Sequence, residues 1–259
     1  MVIDTHVHLS DEKFDIDRNS VIDRAFNAGV EKIIEVSCET KYWNKTLEIS
    51  RQKNIFASFG IHPNDAEKTS DTDYEKLELI IQQEKCIAIG EIGLDYHYNS
   101  CERNVVLQKK YFIKQLKLAV KFGKPVIIHS REANEDVIDI LKSIKSIPKG
   151  VIHCFSGTLQ QAEEFIALGF LLGIDGPVTY KKSDGLRKII LDTDLKNLLV
   201  ETDSPYLPPQ KYRGQRNEPL HVLEVLKEIA SIKNISLEEA SKNTTQNALK
   251  LFNLERNYE

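Results

Sequence analysis

The chain has 259 residues, of which 41% are hydrophobic, and its formal net charge at pH 7 is −4. This composition can bury a sizeable core, and the acidic balance excludes a protein that binds nucleic acid mainly through its overall charge. No apolar run reaches the roughly 20 residues of a membrane-spanning helix, so no membrane partner is predicted. The N-terminus lacks a basic and then apolar leader, and the four cysteines form no C-x-x-C pair. A cytoplasmic location with free thiols is therefore predicted.

The first stretch, VIDTHVHL at 2–9, is predicted to be a β-strand because Val, Ile and Thr favour a pleated surface. Alternate side chains of a strand share a face, so Asp4, His6 and His8 are predicted to lie on one side. Imidazole nitrogens and carboxylate oxygens both bind divalent cations, which makes this face a candidate half of a metal site. A pair of surface histidines on a polar strand is the alternative interpretation at this point.

Strands and helices alternate along the rest of the chain. Short apolar runs predict further strands at 32–37, 55–60, 87–91, 125–129, 150–154, 170–174 and 198–203. Helical spacing of apolar residues predicts helices at 18–28, 41–52, 74–84, 103–122, 132–145, 159–168 and 184–191. Two more helices follow, one beginning at Pro219 and one after the capping box of Ser236 and Glu239.

Eight apolar strands, each followed by a helix, predict an α/β protein with the (β/α)₈ TIM-barrel fold. The runs are continuously apolar, as strands of a parallel sheet buried on both faces should be, and about 250 residues is the usual size of such a barrel. A doubly wound open sheet is the competing fold, but no glycine-rich nucleotide-binding motif follows any strand. Without a linker or an internal repeat, 1–259 is predicted to form a single domain.

Histidines and carboxylates recur where the predicted strands end. The residues in question are His6, His8, Glu91, His129, His153, Glu201 and Asp203. The carboxyl ends of barrel strands meet at one rim, where active sites of this fold are built, so the set is predicted to converge on one metal site. Its size exceeds the usual set of four ligands for one zinc-like ion, which predicts two divalent cations with Glu91 as the shared ligand. Such donors suit Zn, Mn, Co or Ni, and Mg less naturally.

Several motifs along nearly the whole chain form a specific set: IDTHVHL (3–9), GIHP (60–63), IGEIGLDYH (89–97), PVIIHSRE (125–132), HCFSG (153–157), GPVTY (176–180), LLVETDSPYLPP (198–209) and YRGQRNEP (212–219). In these motifs the chain resembles the TatD family of metal-dependent deoxyribonucleases, which belongs to the amidohydrolase-like TIM barrels. Asp175 departs from the small or hydroxyl residue usual before this glycine, and Asn64 stands where some members carry a histidine.

The resemblance implies a role for each matching position. His6 and His8 would bind one metal with Asp203, His129 and His153 would bind the second, and Glu91 would bridge the two. Asp203 would also act as the general base, so Asp203 and Glu91 are the predicted catalytic residues. The implied activity is hydrolysis of DNA phosphodiesters, commonly as a 3′–5′ exonuclease, with DNA as substrate and no obligatory protein partner.

Five further residues are candidates for substrate binding. Arg131 follows His129 and could contact a phosphate, or pair with a neighbouring glutamate. Arg213 and Arg216 lie in the loop after the last strand, where barrels often bind phosphate; a solvated loop is the alternative. Glu201 could hydrogen-bond a ligand or hold a metal ligand in place. His62, in the GIHP motif, completes the set.

Two other functions compete with the nuclease. A metal-dependent amidase, lactonase or phosphotriesterase would keep the site and change the bond that is cleaved. Many such barrels bridge their metals with a carbamylated lysine, whereas the fourth strand here presents Glu91. A non-catalytic binding scaffold would be expected to have lost some of the ligands, and none is missing from the sequence.

Overall fold

The computed structural model describes residues 1–98 and 100–254. Its eight strands are β1 (Val2–Val7), β2 (Val30–Ser37), β3 (Ile55–Phe59), β4 (Cys86–Asp95), β5 (Val126–Arg131), β6 (Gly150–Ile152), β7 (Phe170–Ile174) and β8 (Leu198–Val200). Its α-helices are α1 (Arg18–Asn27), α2 (Trp43–Ser50), α3 (Asp71–Ile80), α4 (Glu102–Phe122), α5 (Asn134–Ser143), α6 (Leu159–Ala167), α7 (Asp184–Asp192), α8 (Val222–Lys233) and α9 (Leu237–Leu251).

All eight strands are parallel and are hydrogen-bonded in the order of the chain, from β1 to β8. The first and last strands meet through a parallel bridge between Val7 and Ser204. Two backbone hydrogen bonds reinforce this closure, from the His8 amide to Ser204 O at 2.8 Å and from the Asp203 amide to His6 O at 2.9 Å. The predicted (β/α)₈ barrel is therefore confirmed, and the open sheet is excluded.

The barrel interior is packed with apolar side chains and is closed at its amino end. One hydrophobic cluster draws buried residues from seven strands, among them Ile3, Ile34 and Leu199, and Leu171 of β7 packs against it. Only the inside of the barrel is common to all eight strands. The same cluster includes Phe252, just beyond α9. Thr245 of α9 donates to the Met1 carbonyl oxygen, which places this helix against the start of β1. The carboxyl end of the barrel is therefore the end left for a site.

The strand boundaries differ from the prediction where the site begins. Strand β4 continues past Glu91 to Asp95 because Gly93 to Asp95 pair with the second half of β5. The backbone at Gly93 has a φ of +145°, and a Cβ there would lie 1.9 Å from the His129 carbonyl oxygen, so only glycine allows this approach. Strand β8 instead ends at Val200, and the residues after it bond to β1.

Within the described residues, no helix combines the length and the apolar character that crossing a membrane requires.

Candidate metal centre

The carboxyl end of the barrel opens into a cavity of about 450 Å³. The strand ends of β1, β4, β5, β6 and β8 each supply part of its lining: His8, Glu91, His129, His153 and Asp203. His6 is fully buried beside them. The structure therefore brings together all six predicted metal ligands.

The two histidines of the first strand face one another through their Nε2 atoms, which lie 3.2 Å apart. Nδ1 of His8 lies 2.8 Å from the Val36 carbonyl oxygen on β2, so Nδ1 carries a proton and donates to that oxygen. When the ring is neutral, this tautomer leaves Nε2 of His8 with a free lone pair. The hydrogen bond from the Asp203 amide to His6 O holds the third ligand of this group beside the first two.

Two carboxylates face these rings at distances that suit a shared cation. Asp203 Oδ1 lies 3.2 Å from His8 Nε2 and 3.8 Å from His6 Nε2. Glu91 Oε2 lies 3.5 Å from His6 Nε2 and 3.8 Å from His8 Nε2. In tetrahedral coordination, two ligands bound about 2.0–2.2 Å from one ion lie roughly 3.3–3.6 Å apart, which is close to these separations. A direct hydrogen bond would be shorter than most of these contacts.

The other oxygen of Glu91 belongs to a second group of side chains. Glu91 Oε1 lies 2.7 Å from His129 Nδ1, 3.8 Å from His62 Nε2 and 3.9 Å from His153 Nε2. His62 and His129 are packed edge to face, with ring centroids 4.6 Å apart. The two oxygens of Glu91 therefore face two different sets of imidazoles.

Within the described residues, three groups bring possible ligand atoms within 4.8 Å of one another: His6, His8 and Asp203; His6, His153 and Glu201; and His62, Glu91 and His129. These imidazole and carboxylate donors suit borderline divalent cations. The residues present therefore fit the divalent metals that the sequence predicts. The third group differs from the sequence assignment, since His62 and not His153 accompanies His129.

Glu201 supports His153 and does not line the cavity. Its carboxylate is fully buried, and Oε1 accepts from His153 Nδ1 and from the Cys154 amide, both at 2.7 Å. The His153 ring stacks on His6, with centroids 3.6 Å apart, and its Nε2 is turned toward Glu91 and Asp203. Of the two roles weighed for Glu201, the geometry favours holding a metal ligand over contact with substrate.

The ionisation of these residues follows from their pairing. Burial opposes charge on His8, but the hydrogen bond and the charge of Asp203 outweigh it and raise the pKa of His8 to about 9. Burial likewise opposes charge on His129, and its hydrogen bonds with Asp95 and Glu91 raise that pKa to about 9. His62 lacks such a hydrogen bond, so burial and the nearby His129 lower its pKa to about 4. A cation that binds His8 or His129 must therefore displace a proton near neutral pH.

The three candidate arginines lie in different surroundings. Arg131 lines the cavity, with its guanidinium 5.0 Å from the centre of the Tyr98 ring. Arg213 is exposed and lies over the ring of Tyr180, and it is not among the cavity-lining residues. Arg216 also lies outside that lining and is paired with Asp17 through two hydrogen bonds of 2.7 and 2.8 Å. Of the three, Arg131 is the one placed to reach a substrate beside the metal ligands.

Asp4 does not join His6 and His8, contrary to the prediction from strand alternation. Its carboxylate is buried and accepts from the Thr202 amide at 3.0 Å and from the Thr202 hydroxyl at 2.7 Å. The pairing of β1 with β2 shifts register between Asp4 and Val7, so the side chains do not alternate regularly here. Asp4 instead positions the segment that carries Asp203.

Asp95 is a site residue that the sequence reasoning missed. It is buried, lines the cavity and accepts from His129 Nε2 at 3.0 Å. Burial opposes its charge, but the hydrogen bond from His129 lowers its pKa to about 2. The prediction ended this strand at Glu91, although Asp95 lies within the quoted motif IGEIGLDYH. The signal that could have identified Asp95 is its place in this motif, four residues after the candidate ligand Glu91.

A closed parallel barrel with histidines and carboxylates gathered at its carboxyl end defines the class of metal-dependent hydrolases built on this fold. A family model described as TatD related DNase matches residues 3–253. The uncharacterized metal-dependent hydrolase YabD of Bacillus subtilis (strain 168) is 38% identical over 98% of this chain and 100% of its own. YjjV of Escherichia coli (strain K12), also an uncharacterized metal-dependent hydrolase, is 34% identical over 97% of this chain and 98% of its own.

Solved structures agree with these sequence matches. The crystal structure of the TatD homologue YjjV from E. coli K12 superposes with a TM-score of 0.92, at 33% identity, over 97% of this chain and 98% of that chain. A TatD family hydrolase from Entamoeba histolytica shares the fold with a TM-score of 0.86, at 24% identity, over 96% of this chain and 97% of that chain. The chain belongs to the TatD-related DNase family and is a metal-dependent hydrolase of that family.

Proposed function

We propose that this protein hydrolyses phosphodiester bonds of DNA, using two divalent cations held at the carboxyl end of the barrel. The single observation that carries the proposal is the placement of Glu91. One of its oxygens faces His6 and His8 and the other faces His129 and His62, so one carboxylate can serve two ions. Paired cations of this kind suit displacement at phosphorus, where charge develops on both the attacking and the leaving oxygen.

The proposed ligands divide between two positions. His6, His8 and Asp203 would hold one ion, because their donor atoms lie in one compact group. His129 would hold the second, and His62 and His153 both approach the same Glu91 oxygen and are its candidate partners. Divalent ions bound there would polarise the phosphoryl group and lower the pKa of a water molecule.

The side chains of this protein perform the remaining tasks. Asp203 exposes its carboxylate to the cavity and has a pKa below its usual range, because the hydrogen bond from His8 and the charges of His153 and His8 outweigh burial. It is therefore ionised near neutral pH and can accept a proton from the attacking water. Arg131 provides a guanidinium at the rim for a phosphate of the substrate. Glu201 keeps His153 oriented.

Membership of a family described as TatD related DNase supports DNA as the substrate. Action as a 3′–5′ exonuclease is the finer part of this proposal. The cavity volume of about 450 Å³ is in the range that takes one small ligand, and the predicted metal ligands are buried or half-buried in it. A duplex cannot bring an internal phosphate to that depth without distortion. An end of the strand can enter, which favours removal of terminal nucleotides.

The test is an assay of several metals against several substrates. The apo protein is prepared with a chelator, reloaded separately with Zn, Mn, Co, Ni or Mg, and given end-labelled single- and double-stranded DNA. Carboxylic ester, lactone, amide and phosphotriester substrates are assayed in parallel. We expect at least one metal form to shorten labelled DNA from the 3′ end. Turnover of an amide, lactone or phosphotriester by a metal form that leaves all DNA intact would contradict the proposal.

A further inference from the structure

The candidate metal ligands that line the cavity are His8, Glu91, His129, His153 and Asp203, and we call them the floor of the cavity. The floor occupies only part of the lining. The rest of the lining comes largely from the loops after β1, β2 and β3, and three of its residues are Asp11, Glu39 and Asp65. We call these three residues the acidic wall. Among the lining residues that the structure describes, Arg131 is the one lysine or arginine, and it lies two strands further round the barrel at the end of β5.

The acidic wall is not a further cation site. In the described parts of the chain, every group of possible metal ligands that are close enough to share an ion lies at the floor, and none includes Asp11, Glu39 or Asp65. The wall carboxylates therefore lie too far apart to share an ion, and each is a separate acceptor of hydrogen bonds. Lys41 lies 2.9 Å from Glu39, and Lys68 lies 3.5 Å from Asp65, but both lysine side chains are more than half exposed and neither lines this cavity.

A second observation points to a ligand in the same part of the cavity. Ser37 at the end of β2 is buried and belongs to the lining, yet its hydroxyl has no hydrogen-bond partner within the protein. Buried hydroxyls normally find a partner, and a water molecule or a group of a bound ligand can supply it here. The ring of Tyr206 borders the same space, with 41% of that residue exposed, and its hydroxyl donates to Asp11 at 2.6 Å.

These features together define the chemistry that the wall would accept. Carboxylates and a serine hydroxyl accept hydrogen bonds from sugar hydroxyls and from the amino groups of bases. Lys13 covers one face of the Tyr206 ring, with its Nζ 4.1 Å from the ring centre, and the other face can stack on a base. A phosphate placed there would meet three carboxylates, and among the described lining residues of these loops it would meet no lysine or arginine. Like charges that are close and partly desolvated repel strongly. Further phosphates of the strand would instead lie toward Arg131.

We propose that the acidic wall is the subsite for the terminal nucleoside of the substrate, and that it selects strand ends carrying a free hydroxyl over ends carrying a phosphate. This inference rests on the proposed nuclease function. It adds to that function a selectivity between DNA strand ends, which we call the end rule.

The test uses the full-length protein loaded with whichever metal supports DNA cleavage. Two oligonucleotides of the same sequence are compared, one ending in a 3′-hydroxyl and one in a 3′-phosphate, each labelled at the far end. We expect kcat/KM to be at least about 10-fold lower for the phosphorylated end, given the usual cost of apposed like charges. The same pair of substrates modified at the 5′ end shows which terminus enters the cavity.

Charge-neutral variants connect the selectivity to the wall. The double variant Glu39→Gln with Asp65→Asn should reduce the ratio of kcat/KM between the hydroxyl end and the phosphorylated end by several-fold, because it removes two of the three charges that repel a terminal phosphate. Glu84→Gln, which removes an exposed carboxylate after α3 and outside the cavity, is the matched control and should keep the full discrimination. Far-UV circular dichroism confirms that each variant is folded.

An inhibition assay supplies a readout that does not require an end to be cleaved. A nucleoside 5′-monophosphate should inhibit more strongly than the corresponding 3′,5′-bisphosphate, although the bisphosphate carries more charge for the metals. Equal cleavage of both oligonucleotide ends, or discrimination that persists in the double variant, would refute the end rule alone. Failure of every metal form to cleave any oligonucleotide would refute the nuclease proposal, and the end rule with it.

Discussion

The floor of the cavity and the loop after β8 both carry charged side chains that the sequence marks as candidates, but the structure places them differently. At the floor, Asp203 and Glu91 face imidazole nitrogens mostly at 3.2–3.9 Å, longer than most hydrogen bonds. In the loop, Arg216 is bonded directly to Asp17 and Glu218 and lies over the ring of Phe14. Charged side chains that lack a short hydrogen bond within the protein are available to a ligand. Charged side chains that are paired within the chain mainly stabilise the fold.

The largest effect is expected for Asp203→Asn at the floor. This change keeps the shape and one oxygen ligand but removes the proton acceptor, so we expect a loss in kcat of roughly 10²-fold or more with near-normal folding and part of the metal retained. Metal analysis and DNA hydrolysis on the purified variant measure the two properties separately. Full metal content with wild-type turnover would exclude Asp203 as the base.

Glu201→Gln tests the support beneath the floor. The amide can still accept from His153 Nδ1 but carries no charge, so we expect metal affinity to fall by about 10- to 100-fold, the usual cost of altering such a partner. Competition with a chelating dye measures the affinity, and the imidazole NMR signals of His153 report its protonation without any turnover. Affinity and His153 signals equal to those of the wild type would contradict the supporting role.

Arg131→Ala and Arg216→Ala compare the two regions directly. Arg131 lines the cavity, so its loss should raise KM for DNA several-fold and reduce the salt dependence of KM. Arg216→Ala should leave KM nearly unchanged and lower the thermal midpoint, because Asp17 and Glu218 each lose one of their two arginine partners and keep only Arg24. A larger rise in KM for Arg216→Ala than for Arg131→Ala would reverse this assignment and support the phosphate contact that the sequence suggests.

The smallest effect concerns acid stability of the loop. The hydrogen bonds from Arg216 lower the pKa of Asp17 to about 2, below the value of about 3.9 for an unfolded chain. The pair therefore stabilises the fold fully above pH 4 and loses that contribution as the pH falls toward 2. Because these groups are partly exposed, the contribution is expected to be under about 1 kcal/mol. Urea unfolding at pH 6 and pH 3 should show a smaller pH dependence for Asp17→Asn than for the wild type.

Strand geometry explains which parts of the site could be predicted. His129 and His153 continue the inward face of β5 and β6, where Ile127 and Val151 pack inside the barrel, so regular alternation predicts their direction. Asp4 was misplaced because β1 shifts register after it. Asp95 was missed because the extension of β4 depends on pairing with β5, and no feature local to β4 specifies that pairing.

The sequence by itself determined the barrel and the set of candidate metal ligands, because the period of apolar residues and the polar residues at strand ends are local properties of the chain. Only the tertiary structure decided which charged groups remain available. Arg216 and Arg131 look alike in sequence, and Glu201 and Asp203 lie two residues apart, yet one member of each pair borders the cavity and the other does not. That difference depends on partners more than 40 residues away, such as Asp17 for Arg216 and His153 for Glu201. Folding alone brings such partners within hydrogen-bonding distance.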